Sequence, residues 1–315
     1  MFEATLYPPI EPYESGYLAV DGAHRLYWEQ CGNPQGTPAL FLHGGPGGGC
    51  TANNRRWFDP QRYRIILLDQ RGCGRSQPTG ELAANTTEHL LGDIEALRQR
   101  CAVERWLLMG GSWGATLALA YAQRHPARVR ALVLRGVFCA RRSELRWLYQ
   151  EGASRLFPEA WQRFVAPIAA AERHDLIAAY HARLNNADAT LQMNAAIAWC
   201  AWEDSIASLL PYSSTGTIDA AATLALARIG NHYMQRRCFL DDGQLIAHAH
   251  LLRDIPAVIV QGRYDAVTPP ITAWELARDW PQATLQLVAD AGHASSEPGI
   301  LRRLIAATDG FAVQP

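Results

Sequence analysis

The sequence lacks the features that mark several classes of protein. Its 315 residues carry a net charge of −1, so no excess charge favours nucleic acid or an anionic membrane. No apolar run approaches the roughly 20 residues of a membrane-spanning helix. The first twelve residues have neither the basic nor the apolar part of a signal peptide. We therefore expect a neutral small molecule or a peptide as ligand, with no nucleic-acid or membrane partner.

The cysteines form no C-x-x-C pair. Seven of them are dispersed along the chain, and an odd, scattered set is typical of reduced thiols, which predicts a cytoplasmic protein. His248 and His250 are two residues apart, but no third ligand accompanies them. We therefore expect neither a metal nor another cofactor.

The central motif is Gly110-x-Ser112-x-Gly114. Four apolar residues at 106–109 predict a buried strand before it, and residues 115–125 have a helical pattern. Strand, Gly-x-Ser-x-Gly and helix together are typical of a nucleophile elbow, where a strained turn lifts the serine hydroxyl above the sheet edge. An ordinary strand-to-helix turn is the alternative, because glycine and serine are common in turns.

A second glycine-rich loop follows the predicted strand 39–42. His43 begins it, and Pro46 interrupts the glycines at 44–49. No lysine follows, as a phosphate-binding loop would require, and Pro46 fits a dinucleotide-binding loop poorly. The placement favours a loop that donates an N–H to an oxyanion hole, with Gly45 and Trp113 as the two predicted donors.

The remaining pattern predicts an α/β fold with a mostly parallel sheet. Short apolar strands alternate with helical segments, apart from an initial hairpin around Asp21–Gly22. Asn85 is predicted to cap a helix that runs to about Arg100. Between about 141 and 237 the patterns are helical, one of them spanning 158–173. We predict a core of residues 1–140 and 238–315, and a helical cap of residues 141–237 over the site.

The serine needs a base and an acid to orient that base. In elbow-type hydrolases the chain order is serine, acid, histidine. Asp265 follows the predicted strand 257–260, and His293 is the one histidine beyond it. Asp290 is the rival acid, but its spacing from His293 suits a turn contact. The other histidines, including His43, are expected to be surface or satisfied core residues.

Motifs over nearly the whole chain resemble the prolyl aminopeptidase (proline iminopeptidase) family of α/β-hydrolases. Several of them lie in the helical insertion, which makes the resemblance specific to the family rather than to the fold. The matching segments begin at His43 (HGGPGGG), Asp69 (DQRGCGRS), Gly110 (GGSWG), Leu134 (LRGVF), Tyr149 (YQEGA), Trp199 (WCAWE), Asn231 (NHY) and Gly262 (GRYD).

The resemblance implies an α/β-hydrolase core with a helical cap, and a serine peptidase that releases N-terminal proline. Ser112 would be the nucleophile, Asp265 the orienting acid and His293 the base. The resemblance also implies the substrate-binding residues. Phe138 and Tyr149 would form the wall of the proline pocket, and Glu203 would hold the amino group. Gly44 and Arg135 would make the remaining contacts.

Two positions depart from the family pattern. Gly230 stands where a second glutamate usually precedes Asn-His-Tyr, and Thr268 stands where a cysteine is common. Gly230 removes half of the expected amine-binding charge, so an esterase or amidase of altered specificity is the first alternative. A non-catalytic binding protein on the same fold is the second. We expect a short peptide or small amide or ester as substrate, and the oligomeric state stays open.

Overall fold

The computed structural model describes residues 6–210 and 219–312. Eight strands form one sheet in the order β1-β2-β4-β3-β5-β6-β7-β8. Strand β2 runs antiparallel to β1 and β4, and the other pairs are parallel. The predicted hairpin and the mostly parallel sheet are confirmed. The strands are β1 (Glu14–Ala19), β2 (Arg25–Gly32), β3 (Thr37–Leu42), β4 (Tyr63–Leu68), β5 (Trp106–Gly111), β6 (Val129–Arg135), β7 (Ala257–Gly262) and β8 (Ala283–Val288).

The central strands are apolar because both of their faces are covered. In β5, Trp106 and Leu108 pack into one apolar layer, while Leu107 and Met109 pack into the other. Successive side chains of a strand point to opposite faces, so a strand between two helical layers needs apolar residues throughout. The helices around the sheet are α1 (Thr87–Arg100), α2 (Trp113–Arg124), α8 (Gln244–Ala247), α9 (Pro270–Arg278) and α10 (Pro298–Phe311).

Five further helices lie between β6 and β7 in the chain. Aromatic side chains join them: the ring of Phe164 stacks on Tyr180 at 4.7 Å and on Trp202 at 5.5 Å. No helix within residues 6–210 or 219–312 has the length and apolarity that crossing a bilayer would require. The division into core and cap domains stays a prediction. The five helices are α3 (Arg142–Tyr149), α4 (Pro158–Val165), α5 (Leu176–Leu184), α6 (Ala189–Ala207) and α7 (Ala220–Gln235).

The predicted helix 158–173 is wrong in its length. Helix α4 ends at Val165, and a separate 3-10 turn covers Ala170–Glu172. Pro167 explains the break, because proline has no N–H to donate and its ring clashes with the carbonyl one turn earlier.

The sequence predicts that Asn85 caps α1, and this prediction is wrong. Thr86 is the N-cap and accepts a hydrogen bond from the N–H of His89. Asn85 is buried instead: its amide donates to Arg71 O at 3.0 Å, and its Oδ1 accepts from Tyr233 Oη at 2.8 Å. The side chain therefore ties the loop after β4 to α7.

The loop after β4 contains ion pairs. Asp69 pairs with Arg75 at 2.8 Å. Arg71 instead pairs with Asp93 at 2.7 Å and with Asp21 at 2.6 Å. These contacts fix the loop against the turn between β1 and β2 and against α1, at the sheet edge where the site lies.

Candidate active site

Ser112 occupies a sharp turn between β5 and α2. Its φ of 57° and ψ of −125° lie outside the regions that most residues adopt. A Cβ added to Gly110 would lie 2.3 Å from Gly114 O, and one added to Gly114 would lie 2.1 Å from Leu42 O. Only glycine permits these close approaches, so the two glycines let α2 begin directly against the ends of β3 and β5. This is the strand, turn and helix that the sequence predicts.

The loop after β3 runs beside the serine. A Cβ added to Gly44 would lie 3.7 Å from the Cβ of Ser112. Trp113 is the first residue of α2, so its N–H has no acceptor within the helix. In the described part of the chain, neither this N–H nor that of Gly45 donates a hydrogen bond. Two unpaired N–H groups beside a serine can receive a developing oxyanion.

Gln70 connects the two segments that carry these N–H groups, a role that the sequence analysis missed. Its Nε2 donates to His43 O at 3.0 Å, and its Oε1 accepts from Trp113 Nε1 at 2.8 Å. His43 is buried and satisfied, because its Nε2 accepts from the Gln70 N–H at 3.0 Å and its Nδ1–H donates to Gly44 O at 3.0 Å. The one available signal was the position of Gln70 just after β4, at the same sheet edge.

Asp265 and His293 meet above the ends of β7 and β8. His293 Nδ1 donates to Asp265 Oδ2 at 2.8 Å, since a carboxylate can only accept. Oδ2 also accepts from Gln261 Nε2 at 2.9 Å and from Thr268 Oγ1 at 2.8 Å. Oδ1 accepts from the N–H groups of Thr268 at 2.7 Å and Val267 at 3.0 Å. Five donors therefore hold the carboxylate in one orientation.

The surroundings fix the ionisation of this pair. Burial alone would raise the pKa of Asp265, but the charge and hydrogen bond of His293 and the bonds from Thr268 outweigh it and lower the pKa. Burial lowers the pKa of His293, and the opposing charge of Asp265 does not fully compensate. The pair is thus a carboxylate and a neutral imidazole at neutral pH. Asp290, the rival acid, makes no hydrogen bond to His293 among the described residues.

The imidazole and the serine lie in one cavity but are not hydrogen-bonded to each other. Arg135 Nη1 donates to His293 Nε2 at 2.8 Å and to His293 O at 3.0 Å. In the described part of the chain, Ser112 Oγ has no hydrogen-bond partner. The basic nitrogen of His293 is therefore occupied by a guanidinium, and it has to exchange that contact for the serine hydroxyl before it can act as a base.

The cavity, of about 200 Å³, brings together eight of the ten predicted site residues. Trp113 and Asp265 do not line it: Trp113 is fully buried, and Asp265 lies behind His293. The predicted residues at its surface are Gly44, Gly45, Ser112, Arg135, Phe138, Tyr149, Glu203 and His293. The lining residues that were not among the predicted site residues are Leu148, Asp204, Ala207, Met234, Val267 and Thr268.

Glu203, on α6, gives the cavity an acidic side. Tyr149 Oη donates to Glu203 Oε1 at 2.5 Å, and the Tyr149 ring stacks on Trp199 at 4.5 Å. Burial raises the pKa of Glu203 to about 7; the Tyr149 hydrogen bond opposes this rise, and the charge of Asp204 adds to it. An ammonium group in the cavity would therefore favour the ionised form of Glu203.

The helix that carries Glu203 is bonded directly to the loop that carries His293. Ala207 O, at the end of α6, accepts from the N–H groups of His293 and Ala294, each at 2.8 Å. Glu297 reinforces the junction, because its carboxylate accepts from Gly292 N–H at 2.5 Å and from Leu209 N–H at 2.6 Å. The acidic side of the cavity and the imidazole thus share one hydrogen-bonded support.

Comparison with solved structures agrees with the fold. A haloalkane dehalogenase loop variant from Bradyrhizobium elkanii has a TM-score of 0.62 at 18% identity, covering 94% of this chain and 96% of that chain. At this identity the likeness shows the fold alone. The family profile described as "alpha/beta hydrolase fold" matches residues 37–299.

Several curated protein sequences are much more similar to this chain in amino-acid sequence. A proline iminopeptidase of Xanthomonas citri is 52% identical over 311 residues, which are 98% of this chain and 99% of that protein. A proline iminopeptidase of Arabidopsis thaliana is 49% identical over 97% of this chain and 81% of its own length. Such identity over nearly the full length matches the resemblance found in the separate motifs. The chain belongs to the proline iminopeptidase family of α/β-hydrolases.

Proposed function

We propose that this protein is a serine peptidase that releases N-terminal proline from short peptides through an acyl-enzyme. The observation that carries the proposal is one cavity that joins Ser112 and His293 to the carboxylate of Glu203. A nucleophile beside a carboxylate suits a substrate whose free amine lies next to the bond to be cut. The relatives named proline iminopeptidases support the same substrate class.

The acylation step uses the residues around Ser112. His293 Nε2 leaves Arg135 and takes the proton of Ser112 Oγ, while Oγ attacks the carbonyl carbon of the N-terminal residue. The N–H groups of Gly45 and Trp113 receive the oxyanion. His293 then protonates the leaving amine as the carbon–nitrogen bond breaks, and a prolyl ester on Ser112 remains. Water, deprotonated by His293, releases proline and restores the hydroxyl.

The free amine is the proposed basis of specificity. An N-terminal proline carries a cationic secondary amine at neutral pH, and Glu203 would accept a hydrogen bond from it. Tyr149 holds this carboxylate in place, and Phe138 lines the same cavity. An acylated proline has no cation to offer, so it would leave the ionised carboxylate unpaired, which is costly in a partly buried site.

A substrate panel tests the proposal. We expect rapid hydrolysis of Pro-anilide, slower hydrolysis of Ala-anilide, and little hydrolysis of N-acylated Pro-anilide. Ser112→Ala should reduce turnover by several orders of magnitude. Ser143→Ala is the matched control, because Ser143 is exposed and belongs to no part of the cavity. Full activity of Ser112→Ala would refute the scheme, and equal rates on free and acylated proline would refute the role of Glu203.

An esterase or amidase of altered specificity remains the second candidate, and Gly230 is the observation that favours it. Failure on Pro-anilide with success on a short ester would select it. A non-catalytic binding protein would leave Ser112 unlabelled by a fluorophosphonate. A cytoplasmic location is also part of our proposal, and all seven cysteines are free thiols in the structure.

A further inference from the structure

The acidic side of the cavity lacks a side chain on α7. The family resemblance implies a second glutamate at position 230, where this chain has Gly230. A Cβ added there would lie 3.4 Å from Pro46 O and 3.6 Å from Trp199 Nε1, which are ordinary contact distances. The position therefore accommodates a Cβ, but α7 supplies no carboxylate from it.

Trp199 places its indole N–H close to both Gly230 and Glu203. Its side chain is fully buried, and its Nε1 has no hydrogen-bond partner in the described part of the chain. The same indole N–H faces Glu203 closely enough to lower the pKa of that residue. The indole therefore favours the ionised form of Glu203, the carboxylate that already lines the cavity.

Asp204 brings a second carboxylate to the cavity from another direction. It follows Glu203 on α6, and Glu203, Asp204 and Ala207 all line the cavity. Asp204 is more exposed than Glu203 as a residue, although burial in the cavity still raises the pKa of its carboxyl group. Asp204 forms neither an ion pair nor a side-chain hydrogen bond with any residue that the structure describes. Its charge acts on Glu203, because it contributes to the raised pKa of that residue.

We propose that Asp204 supplies the second negative charge of the site that binds the substrate's N-terminal ammonium, in place of the carboxylate absent at Gly230. The inference rests on the proposed function. The secondary ammonium of an N-terminal proline has two N–H donors, so it can donate one to Glu203 and one to Asp204. A cation between the two carboxylates also removes their mutual repulsion. An acylated amine offers neither effect.

Steady-state kinetics of Asp204→Asn tests this role. We expect its KM for Pro-anilide to rise about 3- to 10-fold, with kcat little changed, as for loss of one partly screened charge contact. The difference from the wild type should shrink at high salt. Hydrolysis of a short uncharged ester should be unaffected, which also shows that the variant is folded. Glu104→Gln is the matched control, because Glu104 is exposed and precedes β5, at the edge of the sheet away from Ser112.

A second variant tests the exchange of one carboxylate for the other. Adding Gly230→Glu to Asp204→Asn should restore the KM for Pro-anilide, since the added Cβ would lie 3.6 Å from Trp199 Nε1, the indole that acts on Glu203. Asp204→Glu should keep a KM close to that of the wild type. A double variant no better than Asp204→Asn, with its ester activity intact, would contradict the exchange.

The outcomes separate this inference from the proposed function. If the wild type cleaves Pro-anilide and Asp204→Asn does so with an unchanged KM, Asp204 has no part in amine binding and the proposed function stands. If Asp204→Asn slows the ester as much as the anilide, the effect is on the chemistry or the fold, and the inference fails. A wild type that leaves Pro-anilide intact overturns both.

Discussion

Glu203 is the residue at which burial and ionisation conflict. Its pKa is raised to about 7, chiefly by burial, with the Tyr149 hydrogen bond opposing the rise and the charge of Asp204 adding to it. Above this pH the free enzyme holds a carboxylate ready for an ammonium. Below it the group is protonated, neutral and a poorer partner for a cation.

The pH profile should therefore depend on the substrate. For Pro-anilide, kcat/KM should fall as the pH drops through about 7, because protonation of Glu203 in the free enzyme weakens amine binding. For a short uncharged ester, the fall should come at lower pH and follow His293, whose pKa lies below its usual value because of burial. Glu203→Gln should abolish the fall of kcat/KM near pH 7 that is expected with Pro-anilide. Identical profiles for both substrates would contradict the assignment.

Single residues differ in how far the sequence predicts them. Chain order and position after a strand lead to Asp265 and His293, because strand ends at one sheet edge meet in space. The contact between Arg135 and His293 Nε2 has no such signal, since it depends on β6 and β8 lying on either side of β7 in the sheet. Gln70 was missed for the same reason: both of its partners come from other elements.

At the scale of elements, the close approach of α2 to β3 sets the position of the serine. Helix α2 begins one residue after Ser112, and Gly114 in its first turn packs against Leu42 O. Any side chain at position 114 would push the helix away from the strand. The N–H of Trp113 and the hydroxyl of Ser112 would move with it.

Two glycine-to-alanine substitutions measure this effect against a matched control. Gly114→Ala should lower the free energy of unfolding by about 1–3 kcal/mol and abolish most of the activity, because its Cβ would lie 2.1 Å from Leu42 O. Gly92→Ala in α1 has nothing within 4 Å of its added Cβ, so it should leave activity unchanged and raise stability by up to about 1 kcal/mol. Denaturant unfolding and Pro-anilide turnover would check both. An active Gly114→Ala protein of wild-type stability would contradict the packing argument.

Element types were predicted better than their ends. The apolar strands and the amphipathic helices follow from residue periodicity, which is a local property. Predicting that α4 ends at Val165 requires Pro167 to be weighed against a helical pattern that continues beyond it. The N-cap of α1 was predicted one residue too early, because Asn85 is bonded to Tyr233 of α7, a contact that local sequence does not reveal.

For the whole molecule, the sheet places residues distant in sequence at one edge. Strands β3, β5, β6, β7 and β8 are consecutive neighbours, and the loops that follow them carry Gly45, Ser112, Phe138, Asp265 and His293 in that order. Alternating strands and helices predicted the parallel sheet. The position of β4 between β2 and β3 was not predicted, because strand order depends on packing partners rather than on periodicity. The cap boundary at residues 141–237 stays a prediction.

The most direct test of the account is to locate the acyl group during turnover. The protein would be mixed with a prolyl ester, quenched in acid within one turnover, digested and examined by mass spectrometry. We predict a prolyl group on the peptide that contains Ser112, and none when the proline nitrogen of the ester is acetylated. A prolyl group on another residue, or equal transfer of the acetylated group to Ser112, would contradict the account.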